Sequence, residues 1–439
     1  MQSSTRADLA GAAVAAVLVT TAFVVPLLAD PRWRATLYAD AAPLFATPRA
    51  HIGPGTVPAI AIAALIAWYG PGLARRLSWP RMVAATWASA LAWTFALAMV
   101  DGWQRGFVGR LAGPDEYLAE VGEVTDIGAL LQGYARRTVD FQPDSWTTHV
   151  AGHPPGALLM FVGLHRIGLG GPTWAAVVCT VVGSSAAAAV LIAVAALAGR
   201  PRARSAAPFL ALAPTAVWIA VSADGVFAGV AAWAVALLAV AARSPRRRTG
   251  PPAAGAGLLF GYALFLSYGL VLMAGFVVAV LVAARTVRPL PALALGAAAV
   301  TALFAVSGFW WVDGYHAVVA RYYQGIAAER PAAYWAWANL AAATCATGLA
   351  VPASLHRSLA PRRVRRREGA SLLILAALAA IVIADLSALS KAETERIWLP
   401  FTTLLLVSPA FLPVRQHRGW LAVQAGATLV LVHLVLTRW

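Results

Sequence analysis

Charge is scarce in this chain, and negative charge is scarcer still. Only 12% of the 439 residues are charged, with 18 Asp or Glu against 34 Lys or Arg. A chain this poor in charge and 60% hydrophobic is not a disordered, solvated one. Cysteine is limited to Cys179 and Cys345, both inside apolar runs, which excludes a disulfide framework and a thiolate metal site. Neither a GxGxxG fingerprint nor a P-loop is present, so nothing points to a bound nucleotide. The formal net charge of +16 would suit nucleic acid. However, the basic residues gather in short loops between apolar runs, the positive-inside pattern, and nucleic acid is not an expected partner.

What is present is a series of apolar runs reaching the ~20 residues that cross a bilayer as a helix. Open sheets are excluded in lipid, so the expected fold class is an all-α polytopic membrane protein. The first run, about 9–29, reads as a first span or signal-anchor. Spans follow at about 57–72 and 82–100, with Arg75, Arg76 and Arg81 between them on the cytoplasmic side. The basic loop 356–367 fixes the later half: spans at about 290–306, 335–354, 370–386, 400–413 and 419–436, with 307–334 and 387–399 external. Counting forward and backward disagrees by one crossing between 153 and 198, which is resolved if the segment after His153 is juxtamembrane or only partly inserted. A second ambiguity is 255–285, either a hairpin of two short helices or one interrupted segment. The reading gives eleven to thirteen spans in three regions: residues 1–81, 82–242 and 243–439.

The polar interest lies outside the spans. Residues 101–152 form a long external loop holding Asp101, Asp115, Glu116, Glu120, Glu123, Asp126, Asp140 and Asp144, eight of the chain's 18 acids. Loops this long are functional or disordered, and helical spacing of Tyr117, Val121, Val124, Gly128, Leu131 and Ala135 argues for order. That pattern predicts one amphipathic surface helix, with Glu116, Glu120, Glu123 and Asp126 on the solvated face. Asp101 directly follows a span and sits at the membrane–water boundary, where an ionisable residue is a candidate functional group. His149 and His153 are spaced as metal ligands on a helix, but Pro154 disfavours helical geometry at His153. They are read instead as hydrogen-bonding groups for a sugar, a phosphate or a catalytic carboxylate. Asp224, a lone acid at an external turn, is either a helix cap or a second carboxylate. Later external loops carry Arg321, Arg330, Lys391 and Arg396, which run against the positive-inside trend and suit an anionic phosphate. Glu393 and Glu395 lie among them as ion-pair partners.

An acid after a span, a long loop containing DEYLAEV (115–121), and HPPG (153–156) opening the next helix resemble the GT-C glycosyltransferases. LAMVDG, HVAGHPPG, SADG, FLSYG, RPAAYW and LSKAETERIWLPF are similar to an actinobacterial membrane branch of that superfamily, near the transferases that decorate lipoarabinomannan. The resemblance implies a GT-C-like bundle in the plasma membrane with an external active site. It also implies a polyprenyl-phosphate sugar as donor, an envelope glycan as acceptor, and inversion at the anomeric carbon. The implied base is a loop carboxylate, Asp101 first and Asp115 or Glu116 second. His149, His153, Asp224, Arg321, Arg330, Lys391, Glu393, Glu395 and Arg396 would bind donor and substrate. A divalent metal is compatible with this chemistry but no residue pattern demands one. A flippase for lipid-linked sugars is the rival reading; it would place charges inside spans, where Asp385 is the exception to an otherwise uncharged set.

Overall fold

The computed structural model describes residues 2–438. It is an all-α polytopic membrane protein. Among the described residues, five helices are long and apolar enough to cross a membrane, or seven if each of two sharply bent pairs is one span. The other runs expected to cross form shorter or less apolar helices that fall short of that length or hydropathy.

The chain begins with α1 (Gln2–Leu28), the short α2 (Pro31–Ala35), strand β1 (Ala46–Pro48), α3 (Thr56–Arg76) and α4 (Trp79–Ala98). The loop after α4 opens with a π-helical turn, Trp103–Val108, and carries α5 (Leu118–Val121), α6 (Ile127–Thr138) and α7 (Thr148–Ala151). Then come α8 (Pro155–Arg166), α9 (Pro172–Ala198), α10 (Arg200–Ala211), α11 (Ala216–Ile219) and α12 (Ala223–Arg243). The second half has α13 (Gly250–Leu264), α14 (Ala274–Ala284), α15 (Leu290–Val306), α16 (Trp311–Gln324), α17 (Ala332–Thr347), α18 (Ala350–Ser358) and α19 (Pro361–Arg365). It closes with α20 (Gly369–Leu386), α21 (Thr394–Ile397), α22 (Leu399–Leu405), α23 (His417–Leu434) and strand β2 (Val435–Thr437). β2 pairs antiparallel with β1, Ala46 opposite Thr437.

The bundle has two chemically distinct ends. At one, arginines tie helix termini together: Arg357 and His356 hold the buried Asp8 of α1, Arg204 donates to the Leu77 carbonyl at 2.9 Å, and Arg363 pairs with Glu368. The opposite end carries the long loops and the β pair. α8 has 12 residues and spans only ~18 Å, so it turns back at the loop end and α9 makes the crossing. That settles the parity conflict at 153–198. The 255–285 ambiguity resolves as a hairpin: α13 and α14 are short helices joined through a 3-10 turn at Tyr268–Met273.

Two expectations are corrected. The span expected at 335–354 is a bent pair, α17 and α18, turning by 98° at Gly348, whose φ of +75° suits a residue without a Cβ. The single amphipathic helix expected over 117–135 is two helices, because the Asp126 carboxylate accepts from the backbone N–H of Gly128 and Ala129 and starts α6 as its N-cap. Glu116 and Glu120, expected on a solvated face, are buried. Glu120 accepts from the Thr147 N–H at 2.9 Å.

Backbone breaks inside the bundle are covered by protein, as lipid requires. Between α10 and α11 the freed carbonyls of Phe209 and Leu212 accept from Gln424 Nε2 at 3.1 and 2.9 Å, and Trp93 Nε1 donates to Ala213. α13 and α15 approach through small residues. A Cβ on Gly257 would lie 2.1 Å from the Leu293 carbonyl oxygen, and one on Gly296 would lie 2.5 Å from that of Ala254. Gly257→Val is therefore expected to destabilise the purified protein by about 1–3 kcal/mol. Gly275→Ala, which would meet nothing within 4 Å, is the matched control and should leave thermal unfolding, followed by tryptophan fluorescence, unchanged or slightly raised.

Candidate active site

The site forms where three segments of the loop end meet: the loop before α5, the turn between α7 and α8, and the stretch 390–397 leading into α22. Each is held by backbone chemistry of its own. His149 donates through its N–H (3.1 Å) and its Nδ1 (2.9 Å) to the Asp115 carbonyl, which docks α7 onto the DEY segment. His153 lies just outside α7, and Pro154 precedes α8 as its N-cap, as the Pro-Pro pair dictates. Asn339 of α17 holds the third segment, donating to Ser390 O at 2.7 Å and accepting from Ala392 N–H at 3.3 Å. There Ala392 and Glu393 have φ of +70° and +63°, a left-handed pair of non-glycine residues, and such strain concentrates at functional sites.

These segments bring together much of what the sequence singles out. Arg396 is buried and donates to Asp224 at 2.7 Å and to Glu393 at 3.3 Å. Asp224 is therefore an ion-pair partner of Arg396 and not the helix cap; Ser222 takes that role, accepting from Gly225 N–H. Glu116 lies 3.3 Å from His149 Nδ1 and within the field of Arg396, Asp224, Asp115 and Glu393. Burial pushes the Glu116 carboxyl up to about 7; Arg396 opposes that rise and the neighbouring acids add to it. Burial, with Arg396 and His153 adding to it, holds the His149 imidazole down at about 3, so it is neutral. His153 is likewise lowered by burial; its Nδ1 donates to the His149 carbonyl, with the Tyr117 hydroxyl 2.8 Å from the same nitrogen. Burial opposes the charge on Arg396, but Asp224, Glu393 and Glu116 outweigh it and raise its pKa.

Other expected residues serve elsewhere. The Asp101 side chain is buried against the His51 imidazole, with Nε2 at 2.7 Å, and two guanidinium groups, Arg110 at 2.7 Å and Arg105 at 3.7 Å. Arg105 also donates to the Thr437 carbonyl at 3.2 Å, and Arg110 to the Thr437 hydroxyl at 3.3 Å, so this network clamps the end of α4 to β2. The structure does not bring Asp101 to the Arg396 cluster. The Asp115 side chain meets Thr148 at 3.4 Å. Arg321 is paired with Asp140, which pins α16 to the loop after α6. Arg330 donates to Lys391 O at 2.8 Å and to Glu393 at 3.3 Å. Lys391 Nζ donates to Ala327 O at 3.0 Å. Glu395 faces away from Arg396's partners; it is fully buried, accepts from Phe45 N–H at 2.8 Å, and burial pushes it up to about 7. Asp385, the acid inside a span, is hydrogen-bonded by Asn339 at 2.8 Å. Tyr117 is the residue missed: it reads as one apolar position of a helix face, although its place beside Glu116 was a signal.

Among the described residues, no three His, Cys, Asp or Glu side chains converge as a metal site would require. The cation shared by Asp224 and Glu393 is the Arg396 guanidinium, with Arg330 also bonded to Glu393. Chemically, the cluster offers a carboxyl that exchanges its proton near neutral pH, a neutral imidazole beside it, and a desolvated guanidinium suited to an oxyanion.

No protein-family model matches the chain, and no curated protein matches it. Among solved structures it is similar to the oligosaccharyltransferase of Archaeoglobus fulgidus, crystallised with zinc and sulfate, at 14% identity and a TM-score of 0.47. The match covers 80% of this chain and 52% of that one, so the chain spans about half the length of that enzyme.

The ion pair at the centre of the site generates a test. Arg396→Met leaves Asp224 buried without its partner, a change expected to lower stability by about 3–5 kcal/mol. Adding Asp224→Leu should restore part of that loss. Thermal unfolding of the two singles and the double reads the coupling between them.

Proposed function

We propose that the protein is a membrane glycosyltransferase of the GT-C kind. It moves a sugar from a polyprenyl-phosphate donor to a cell-envelope glycan, such as a lipoglycan, at the external face of the plasma membrane. The observation that carries the reading is the buried Glu116 carboxyl, poised at about 7, beside His149 and the Arg396–Asp224 pair. Glycosyl transfer to a hydroxyl needs a base to take the acceptor proton and a cation to meet the departing phosphate. Glu116 fits the first role, since a base works best with a pKa near the working pH. Arg396 fits the second, if donor phosphate takes up the guanidinium bond now made to Glu393, the longer of its two. His149, held neutral with its Nδ1–H committed to Asp115 O and Glu116, orients the base. Attack from the face opposite the leaving phosphate inverts the anomeric carbon. No step in this scheme runs through a metal.

The base assignment moves from Asp101 to Glu116 because Asp101 is held by two arginines and the His51 imidazole and has structural work at β2. The flippase reading gains little: Asp385 is tied to Asn339, and the other acids of the cluster sit at the loop end.

The experiment is sugar transfer in membranes with defined polyprenyl-phosphate donors. Glu116→Gln should lower the rate by about 10²–10⁴-fold at unchanged protein level, while Asp101→Asn keeps transfer per folded molecule. In the wild type the rate should rise as pH increases through about 7, because only the deprotonated Glu116 accepts a proton; His149 stays neutral across that range. Full activity of Glu116→Gln overturns the base. Lipid flipping without transfer by any donor overturns the enzyme.

A further inference from the structure

A cavity of about 950 Å³ lies between α1, α17 and α23, away from the Glu116–Arg396 cluster. Its walls are mostly apolar, and several wall residues, Leu27 of α1 and Val430 and Leu434 of α23, are exposed. The mouth opens along α1, a helix long and apolar enough to cross a membrane. The threonines on its walls do not offer hydroxyls to an occupant: Thr344 donates to Leu340 O and Thr428 to Gln424 O, both at 2.8 Å within their own helices. A sugar would find few partners here, whereas an acyl chain would need none.

The rim is different. Arg34 of α2 lines the cavity at the loop end, is exposed, and makes no ion pair or side-chain hydrogen bond among the described residues. Asp40, also at the rim, accepts from Thr47 at 3.5 Å, and Tyr38 is taken up by Glu329. Exposed Arg32, Arg49 and Arg438 stand within a few residues of rim positions. An apolar slot open to the bilayer under an unpaired arginine is complementary to one kind of molecule. We propose that this cavity holds a single anionic membrane phospholipid, its acyl chain between α1, α17 and α23 and its phosphate on Arg34.

The site is separate from the transfer chemistry. α21 presents consecutive residues to opposite sides, Arg396 toward Asp224 and Glu116, and Glu395 toward Phe45 and the field of Cys345, which lines the cavity.

The test uses the full chain purified in mild detergent and native mass spectrometry with added phosphatidylglycerol or phosphatidylcholine. One phosphatidylglycerol should be retained in preference to phosphatidylcholine. Arg34→Ala should weaken retention roughly fivefold and Arg34→Glu roughly 25-fold, as expected for about one and two charges' worth of surface attraction. Ala427→Trp, which fills the cavity, should abolish retention; if it fails to fold, Ala16→Leu serves as a milder filling variant. Arg288→Glu, at the opposite end, should change nothing. Equal retention of the two lipids overturns the proposal, as does retention that survives filling, or binding of polyprenyl phosphate in place of phosphatidylglycerol.

Discussion

A guanidinium buried among carboxylates has to be balanced, and the loop end of this protein is arranged around doing so. Arg396 is charged in a place where water cannot help it, so Asp224 from the start of α12 and Glu393 from the strained turn before α21 must both be close. Their presence makes the neighbourhood hostile to a further negative charge. Glu116, which comes in from a third segment, is held near the point of losing its proton chiefly by its own burial, with these acids adding to the rise and Arg396 opposing it. The same centre explains why three loops distant in sequence converge. A buried charge without partners costs several kcal/mol, and the partners are on different elements.

Support for that centre is spread through side chains outside the Arg396–Asp224 pair. Asn339 fixes the turn holding Glu393, and Arg330 braces the same carboxylate from the other side. Arg321 with Asp140 ties α16 to the loop after α6. The broken helices behind the site are sealed by Gln424 and Trp93. Such breaks are tolerated at membrane depth only where protein covers them, and every residue from 206 to 220, across the break between α10 and α11, is buried.

Much of this was legible in the sequence, and the part that was not has a physical cause. Apolar run length and arginine placement located α1, α3, α4, α15 and α20, since those depend only on local composition. The short α8 was legible as a parity conflict. The bend at Gly348 was not, because a glycine in an apolar run reads the same whether it packs or turns. The residues of the site were nearly all singled out, but their pairing was hidden. Asp101 has the stronger local signal, an acid at a span end, and only the fold reveals that His51, Arg105 and Arg110 converge on it. Glu116 looked solvated because an amphipathic pattern cannot tell water from a cover contributed by other loops.

The pairing of β1 with β2 bears on how the molecule is made. A ribosome feeding spans into the bilayer releases residues 46–48 long before 435–437, and the Asp101 network needs Thr437 to be complete. Throughout insertion of the intervening helices, the end of α4 and the segment after α2 lack their seal. The cradle of the acid-rich loop therefore acquires its final shape only when α23 arrives, and quality control in the membrane has a late, single event to inspect.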